Sequence, residues 1–218
     1  RANMVAALMD GRALTASELA YFAGVTPQTA SSHLNKLTEA GLLSASKQGR
    51  HRYYRLASPL GGQMCERMMV VAEANPAHIG LRWRGGQALR TARTCYDHLA
   101  GRLAVAITDG LVERGYLLLA DDGGELTHSG LTHLASFGLD LRAAAKGRRP
   151  FCKPCLDWSE RRFHLAGAAG AALASGAFER GWTARIKDSR AVAITEAGHR
   201  GFDAVFGVRL LTPERVAV

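Results

Sequence analysis

Residues 26–56 read TPQTASSHLNKLTEAGLLSASKQGRHRYYRL, and no other stretch constrains the fold of this chain so tightly. Thr26 is a good helix N-cap, and Pro27 suits the first helical position because its missing N–H would have no intrahelical acceptor there. A helix therefore starts at about residue 27. Ala30, Leu34 and Leu37 recur at spacings of four and three, which puts them on one buried face, while Gln28, Thr29, Ser31, Ser32, His33 and Lys36 look outward. Upstream, LTASELAYFAGV places Thr15 ahead of Ser17 and Glu18, then apolar Leu19, Phe22 and Ala23, then Gly24 as a stop. A short first helix and a tight turn follow from that order, and the pair has helix-turn-helix spacing.

Downstream, Glu39-Ala40-Gly41-Leu42-Leu43 ends the second helix at a glycine and enters a strand. Ser46 to Arg52 then form a polar hairpin tip with Gly49 and several cations, and Tyr53, Tyr54, Arg55 and Leu56 return as a second strand. The outward helix face is small, polar and rich in donors, so it can enter a major groove, where Gln reads adenine edges and a Thr methyl touches thymine. Lys47, Arg50 and Arg52 are placed for phosphates or the minor groove, with Tyr54 beside them. The expected DNA contacts are Thr26, Gln28, Thr29, Ser31, Ser32, His33, Lys36, Lys47, Arg50, Arg52 and Tyr54.

Residues 2–74 resemble the ArsR/SmtB family of bacterial winged-helix repressors, through ELAYFAGVTPQTASSHLNKLTEAGLL and GRHRYYRL. The resemblance implies a homodimeric repressor that leaves its operator when an inducer binds, dimerised through the first helix and the helix after the wing, here about 61–74; two reading helices are then expected in successive major grooves of an imperfect palindrome in double-stranded DNA. That helix carries Met64, Met68 and Val71 on one stripe with Cys65, Met69 and Ala72 beside it. The family's Cys-x-Cys metal site is missing, because the matching stretch is Leu14-Thr15-Ala16-Ser17-Glu18-Leu19. Its second metal site is not matched either, since the post-wing helix offers Cys65, Glu66 and Glu73 without the histidines.

At 218 residues and 47% apolar content the chain can bury two modest cores. Its formal charge of +9 and pI near 9.9 favour a polyanionic partner, which beside a helix-turn-helix is DNA. No apolar run approaches the roughly 20 residues of a membrane span. No secretory leader is visible, and the opening at Arg1 suggests that further residues precede it. Four cysteines are too few for a disulfide scaffold, so a reducing cytoplasm is the expected setting.

The expected fold class is α+β, mostly α. A winged helix-turn-helix domain at 1–75 is followed by a linker at 76–93, where Asn75-Pro76 stops a helix and Arg82 and Arg84 flank Trp83. An internally repeated sensor or effector domain spans 94–218, with halves at about 94–140 and 150–210. His98-Leu-Ala-Gly101 recurs as His164-Leu-Ala-Gly167, Gly110 as Gly176, and Glu113-Arg114-Gly115-Tyr116 as Glu179-Arg180-Gly181-Trp182. Leu126-Thr127 with Gly130 matches Ile194-Thr195 with Gly198, and Phe137-Gly138 resembles Phe206-Gly207. Each half reads as helix, β-hairpin, helix, and two halves can pair about a pseudo-twofold axis.

Between the halves, Cys152-x-x-Cys155 reads as a helix start with Pro154 in its first turn and Arg148, Arg149 and Lys153 nearby, an environment that would lower a thiol pKa. Three readings compete. One is a reversible disulfide or polysulfide switch. A second is a zinc or other soft-metal site completed by His164, Cys95, Asp97 or His98. In the third the cysteines merely pack, and an organic inducer binds between the repeats. Cys95-Tyr96-Asp97-His98 and Cys155-Leu156-Asp157 with His164 would bring Cys, Asp and His to comparable helix faces around a shared inducer pocket, unless His98 and His164 are simply hydrogen-bonded interior residues. A thiol-disulfide oxidoreductase is the enzymatic alternative. It is disfavoured because a basic helix end, not a strand, is expected before the pair. No phosphate-binding glycine loop or nucleophile elbow is present.

Overall fold

A computed structural model describes residues 1–9, 11–49, 51–73, 87–187 and 189–210. The chain divides into one unit of Arg1–Leu89 with Ile186–Ala191, and a second of Arg90–Arg185 with Val192–Val218. Of the linker expected at 76–93, residues 76–86 lie outside the described residues, and Gln87–Thr91 form a short helix, α5.

The first unit runs α1 (Ala2–Ala7), β1 (Leu14–Thr15), α2 (Ala16–Ala23), α3 (Pro27–Glu39), β2 (Leu43–Gln48), β3 (His51–Leu56) and α4 (Pro59–Glu73). Local chemistry sets its helix ends. Thr15 and Glu18 close a reciprocal capping box on α2, and Gly24 ends that helix in the left-handed conformation. Thr26 caps α3 by accepting from Thr29 N–H, with Pro27 at the helix start. The sheet order is β1-β3-β2, all antiparallel. Met4, Leu8, Leu14, Leu19, Leu34 and Leu43 fill the core beneath it.

The second unit runs β4 (Arg93–Cys95), β5 (His98–Ala100), α6 (Arg102–Glu113), β6 (Leu117–Leu119), β7 (Gly124–Leu126), α7 (His128–Ser136), β8 (Lys153–Leu156), β9 (Phe163–Ala166), α8 (Gly167–Glu179), β10 (Thr183–Arg185), β11 (Val192–Ile194) and α9 (Glu196–Phe206). Each consecutive strand pair forms its own two-stranded antiparallel sheet. The order helix, hairpin, helix occurs twice, as α6-β6-β7-α7 and α8-β10-β11-α9, but each copy is preceded by a further hairpin, β4-β5 or β8-β9.

The two copies make the same bonds. Thr127 Oγ1 accepts from Gly130 N–H at 3.1 Å and donates to Gly115 O at 3.0 Å, while Thr195 Oγ1 accepts from Gly198 N–H at 3.0 Å and donates to Gly181 O at 2.6 Å. A Cβ at Gly130 would lie 2.3 Å from Tyr116 O, and one at Gly198 2.0 Å from Trp182 O, so only glycine lets helix and strand approach this closely. Arg114 donates to Gly110 O and, across the copies, to Phe206 O at the end of α9. Reciprocally, Arg180 donates to Gly176 O and to Gly138 O beyond α7. Each copy thus satisfies carbonyls at a helix end of the other.

The segments expected to open helices around the cysteines form hairpins instead. Cys95-Tyr96-Asp97-His98 does not open a helix but forms the turn of the β4-β5 hairpin, with Tyr96 in the left-handed region at φ 62°. Cys155 and His164 likewise sit on strands, paired with each other across β8-β9, instead of lying turns apart along one helix. Pro154, read as a helix-start proline, is tolerated in β8 because every strand of a two-stranded sheet is an edge.

Candidate nucleic-acid interface and a cysteine–histidine cluster

Helix α3 buries Ala30 and Leu34 and half-buries Leu37, which leaves Gln28, Thr29, Ser31, Ser32 and Lys36 exposed. Thr26 and Thr29 are partly committed to the cap, their hydroxyls lying 2.9 Å apart. His33 is half-buried, and its Nδ1 accepts from Arg1 Nε at 3.0 Å, so it is tied to the protein's own surface. Of the expected contacts, Gln28, Ser31, Ser32 and Lys36 remain as outward donors, and Asn35, which was not among them, is exposed beside them.

The wing is the β2-β3 hairpin, with Gln48 opposite His51. Lys47 and Arg52 are exposed and directly opposite each other. Like charges in that relation repel, so a row of phosphates would relieve the repulsion as well as accept the bonds. The sequence alone does not reveal this pairing, because it depends on register. Arg50 lies outside the described residues. Tyr54, expected at the DNA, is instead a core residue, 4% exposed and paired with Leu14 of β1. Strand alternation is the reason: Tyr54 points inward while its neighbour Arg55 points outward.

A helix-turn-helix domain model matches residues 1–44. Over 210 residues the chain is 41% identical to YdfF of Bacillus subtilis (strain 168), named as an HTH-type transcriptional regulator, and the match covers 96% of this chain and 93% of that protein. The chain belongs to this family of HTH-type transcriptional regulators. The AntR antimony-specific transcriptional repressor is 27% identical over 34% of this chain and 66% of its own, with a TM-score of 0.31. The homodimeric winged helix-turn-helix DNA-binding domain of Mb0332 from Mycobacterium bovis, a possible ArsR-family transcriptional regulator, is 26% identical over 34% of this chain and 68% of its own, also at 0.31. No helix among the regulator's described residues is long and apolar enough to cross a membrane.

In the second unit of this HTH-type regulator, the cysteines group differently from the expected Cys152-x-x-Cys155 pair. Cys152 is buried in the core and bridged to Gly124, and burial pushes its thiol up to about 11, the opposite of an activated thiolate. Cys152 and Cys155 are three residues apart in extended chain, which sends their side chains to opposite faces and, at the usual strand rise, spans about 10 Å. That exceeds the reach of a disulfide, so neither the disulfide switch nor the redox-enzyme reading of this pair fits. Cys152 also drops out of the metal set proposed with Cys155 and His164.

Cys155 instead meets His164, Cys95 and His98, and one donor atom from each lies within 4.8 Å of all the others. Cys95 pairs with His98 across β4-β5, and Cys155 with His164 across β8-β9. Cys95, His98 and His164 are buried, Cys155 half-buried, and the imidazole centroids lie 5.2 Å apart. The chain carried a signal of this grouping: Cys-x-Asp precedes His-Leu-Ala-Gly in both halves.

Around this cluster Asp157 acts as a hub. Fully buried, it accepts from Arg93 Nη2 at 3.0 Å, from Gly101 N–H at 2.7 Å and from Ser159 Oγ at 2.7 Å. Burial alone would raise its carboxyl pKa, but Arg93, the Gly101 N–H, His164 and Ser159 together outweigh that and hold it at about 2. Arg93 in turn stacks 4.6 Å over the ring of Trp158. Asp97, half-exposed, is held low chiefly by its bonds from Arg149. A separate cavity between the halves, lined in part by Leu99, Ile107, Thr108, Leu165, Gly170 and Leu173, measures about 20 Å³. That is room for about one water molecule, far below the several hundred Å³ of ligand sites.

Proposed function

We propose that this regulator is an ArsR/SmtB-like repressor that binds an imperfect palindrome as a homodimer and is not an enzyme. Its DNA affinity is modulated by an event in the two-halved C-terminal unit. The observation that carries this reading is the exposed, donor-rich face of α3 beside the opposed Lys47 and Arg52 of the wing. Two copies of α3 would enter successive major grooves about 34 Å apart, or a multiple of that, while the wings hold phosphates. A coupling of about 1–3 kcal/mol between the C-terminal unit and the DNA-bound geometry would give tens-fold release.

Operator selection from random duplexes, followed by fluorescence anisotropy, tests the reading helix. Gln28→Ala and Ser32→Ala should each cost roughly 1–3 kcal/mol on the selected operator and relax discrimination at one base pair. Unchanged sequence preference in both variants would remove α3 from the interface.

The dimer is supported by α4. Leu60, Met64, Met68 and Val71, at spacings of four, four and three, form one apolar stripe, and their exposures run from 47% to 72%. Met64 and Met68 also border an apolar groove of about 330 Å³ with Val5, Met9, Leu37 and Cys65. The side chains of Met69 and Ala72, expected beside this stripe, lie outside the described residues. A second copy of the chain is the occupant, since a palindrome requires two reading helices and the stripe is self-complementary about a twofold axis. Met68→Glu with Val71→Glu buries unpaired charge at that contact, so self-association should weaken about a hundredfold or more. Sedimentation should then show monomers, and binding to the full palindrome should fall while a half-site is still bound. A doubly charged variant that stays dimeric would place the interface elsewhere.

A further inference from the structure

We propose that Cys95, His98, Cys155 and His164 bind one zinc-like soft divalent cation in a closed four-coordinate site that ties the two halves of the C-terminal unit together. The proposal does not rest on the repressor reading, and its test involves no DNA.

The donor set comes first. Two thiols and two imidazoles are the ligands of tetrahedral structural zinc, whereas calcium and magnesium need oxygen donors. Zinc bonds of about 2.0–2.3 Å imply donor separations of roughly 3.3–3.8 Å in a tetrahedron. The four donor atoms already lie within 4.8 Å of one another, so a contraction of about 1 Å closes the site. Each hairpin delivers one Cys and one His as directly opposed cross-strand residues, so the two halves contribute equally.

The second observation is the state of the imidazoles. His98 is 4% exposed and His164 1%, yet the Nε2 of each has no hydrogen-bond partner among the described residues. A buried ring nitrogen left this way is unfavourable, and a cation at the centre of the cluster would satisfy both at once. The opposite edge of each ring is oriented to suit. His98 Nδ1 is hydrogen-bonded to Asp97 Oδ1 at 3.5 Å, and His164 Nδ1 lies 3.4 Å from Asp157 Oδ2 as a charge contact without hydrogen-bond geometry. A carboxylate there favours the proton on Nδ1 and leaves the Nε2 lone pair for a metal, which is how ligating histidines are usually held. The carboxylates are themselves anchored, Asp97 by Arg149 and Asp157 by Arg93 and Gly101 N–H.

Binding is not a redox step. The cation takes two thiolate and two neutral imidazole ligands, and the two thiol protons leave to solvent. Four protein donors fill the tetrahedron and leave no open position, so the site is a clamp and not a catalytic centre.

The test uses the full chain, stripped of metal by a chelator under reducing conditions and titrated with cobalt(II). One equivalent should bind, with the intense visible absorption of tetrahedral cobalt and a thiolate charge-transfer band. Two protons should be released, and one equivalent of zinc should displace the colour. Cys152→Ser should keep the spectrum, and Cys95→Ser with Cys155→Ser should lose it. Should the double variant not fold, the wild-type titration and Cys152→Ser decide alone. A folded wild-type chain that takes up no cobalt, that gives only the pale octahedral spectrum, or that holds a reductant-resistant Cys95–Cys155 disulfide overturns the proposal. So does loss of the tetrahedral spectrum in a Cys152→Ser protein whose circular dichroism shows it folded.

Discussion

Asp157→Ala should destabilise the C-terminal unit by about 3–5 kcal/mol, the usual cost of removing one partner from a buried ion pair. The expectation rests on Arg93, which is 1% exposed and would keep its charge in the interior after its carboxylate is gone. The same carboxylate also receives Gly101 N–H at the start of α6 and Ser159 Oγ, so one substitution releases groups from both hairpins. Asp97→Ala is the matched control. Its partner Arg149 is 48% exposed and Asp97 itself 46%, so solvent screens the pair and the loss should be about 1 kcal/mol or less. Urea unfolding followed by tryptophan fluorescence reports on this unit through buried Trp158. Chelator in every arm keeps metal from entering the comparison. If the two variants unfold within about 1 kcal/mol of each other, Asp157 is not a stabilising hub.

Leu34→Ala should cost about 2–5 kcal/mol, because the side chain is fully buried among Met4, Leu19, Leu43 and Tyr54 and its removal leaves a cavity. That is a large part of the total stability of a small domain, so α3 loses its seat and operator binding falls with it. Ser32→Ala, two residues away on the exposed face of the same helix, should leave stability within about 0.5 kcal/mol and act only on DNA discrimination. Urea midpoints together with operator affinity separate the two. A Leu34→Ala protein as stable as wild type, or a Ser32→Ala protein equally destabilised, would mean that the faces of α3 have been assigned the wrong way round.

The helices of the DNA-binding unit were legible because their signals are local. Thr15 with Glu18, Thr26 with Pro27, and Gly24 each act within one turn of chain, and the structure places them at those ends. The wing was readable for a related reason, since a polar tip around Gly49 between two alternating stretches admits one short hairpin. Tyr54 belongs to a basic cluster along the chain, and only strand parity sends it into the core.

The hairpins β4-β5 and β8-β9 were not legible. A tight hairpin turn announces itself by Gly or Asn at positive φ, but in β4-β5 Tyr96 takes that conformation at 62°, and the six-residue connection of β8-β9 uses Arg161 at 59°, residues that carry no turn signal. Pro154 then imitated a helix start, and with it the Cys-x-x-Cys spacing suggested a redox pair whose members in fact face opposite ways.

Capping residues, helix periodicity and charge in the sequence alone determined that α3 has a polar face and the wing a cationic one, since each depends on neighbours within a few positions. Only the tertiary structure decided that Cys95, His98, Cys155 and His164 share one point. Their meeting depends on strand register within two hairpins and on how those hairpins pack against each other, and neither quantity is written in any single stretch of chain.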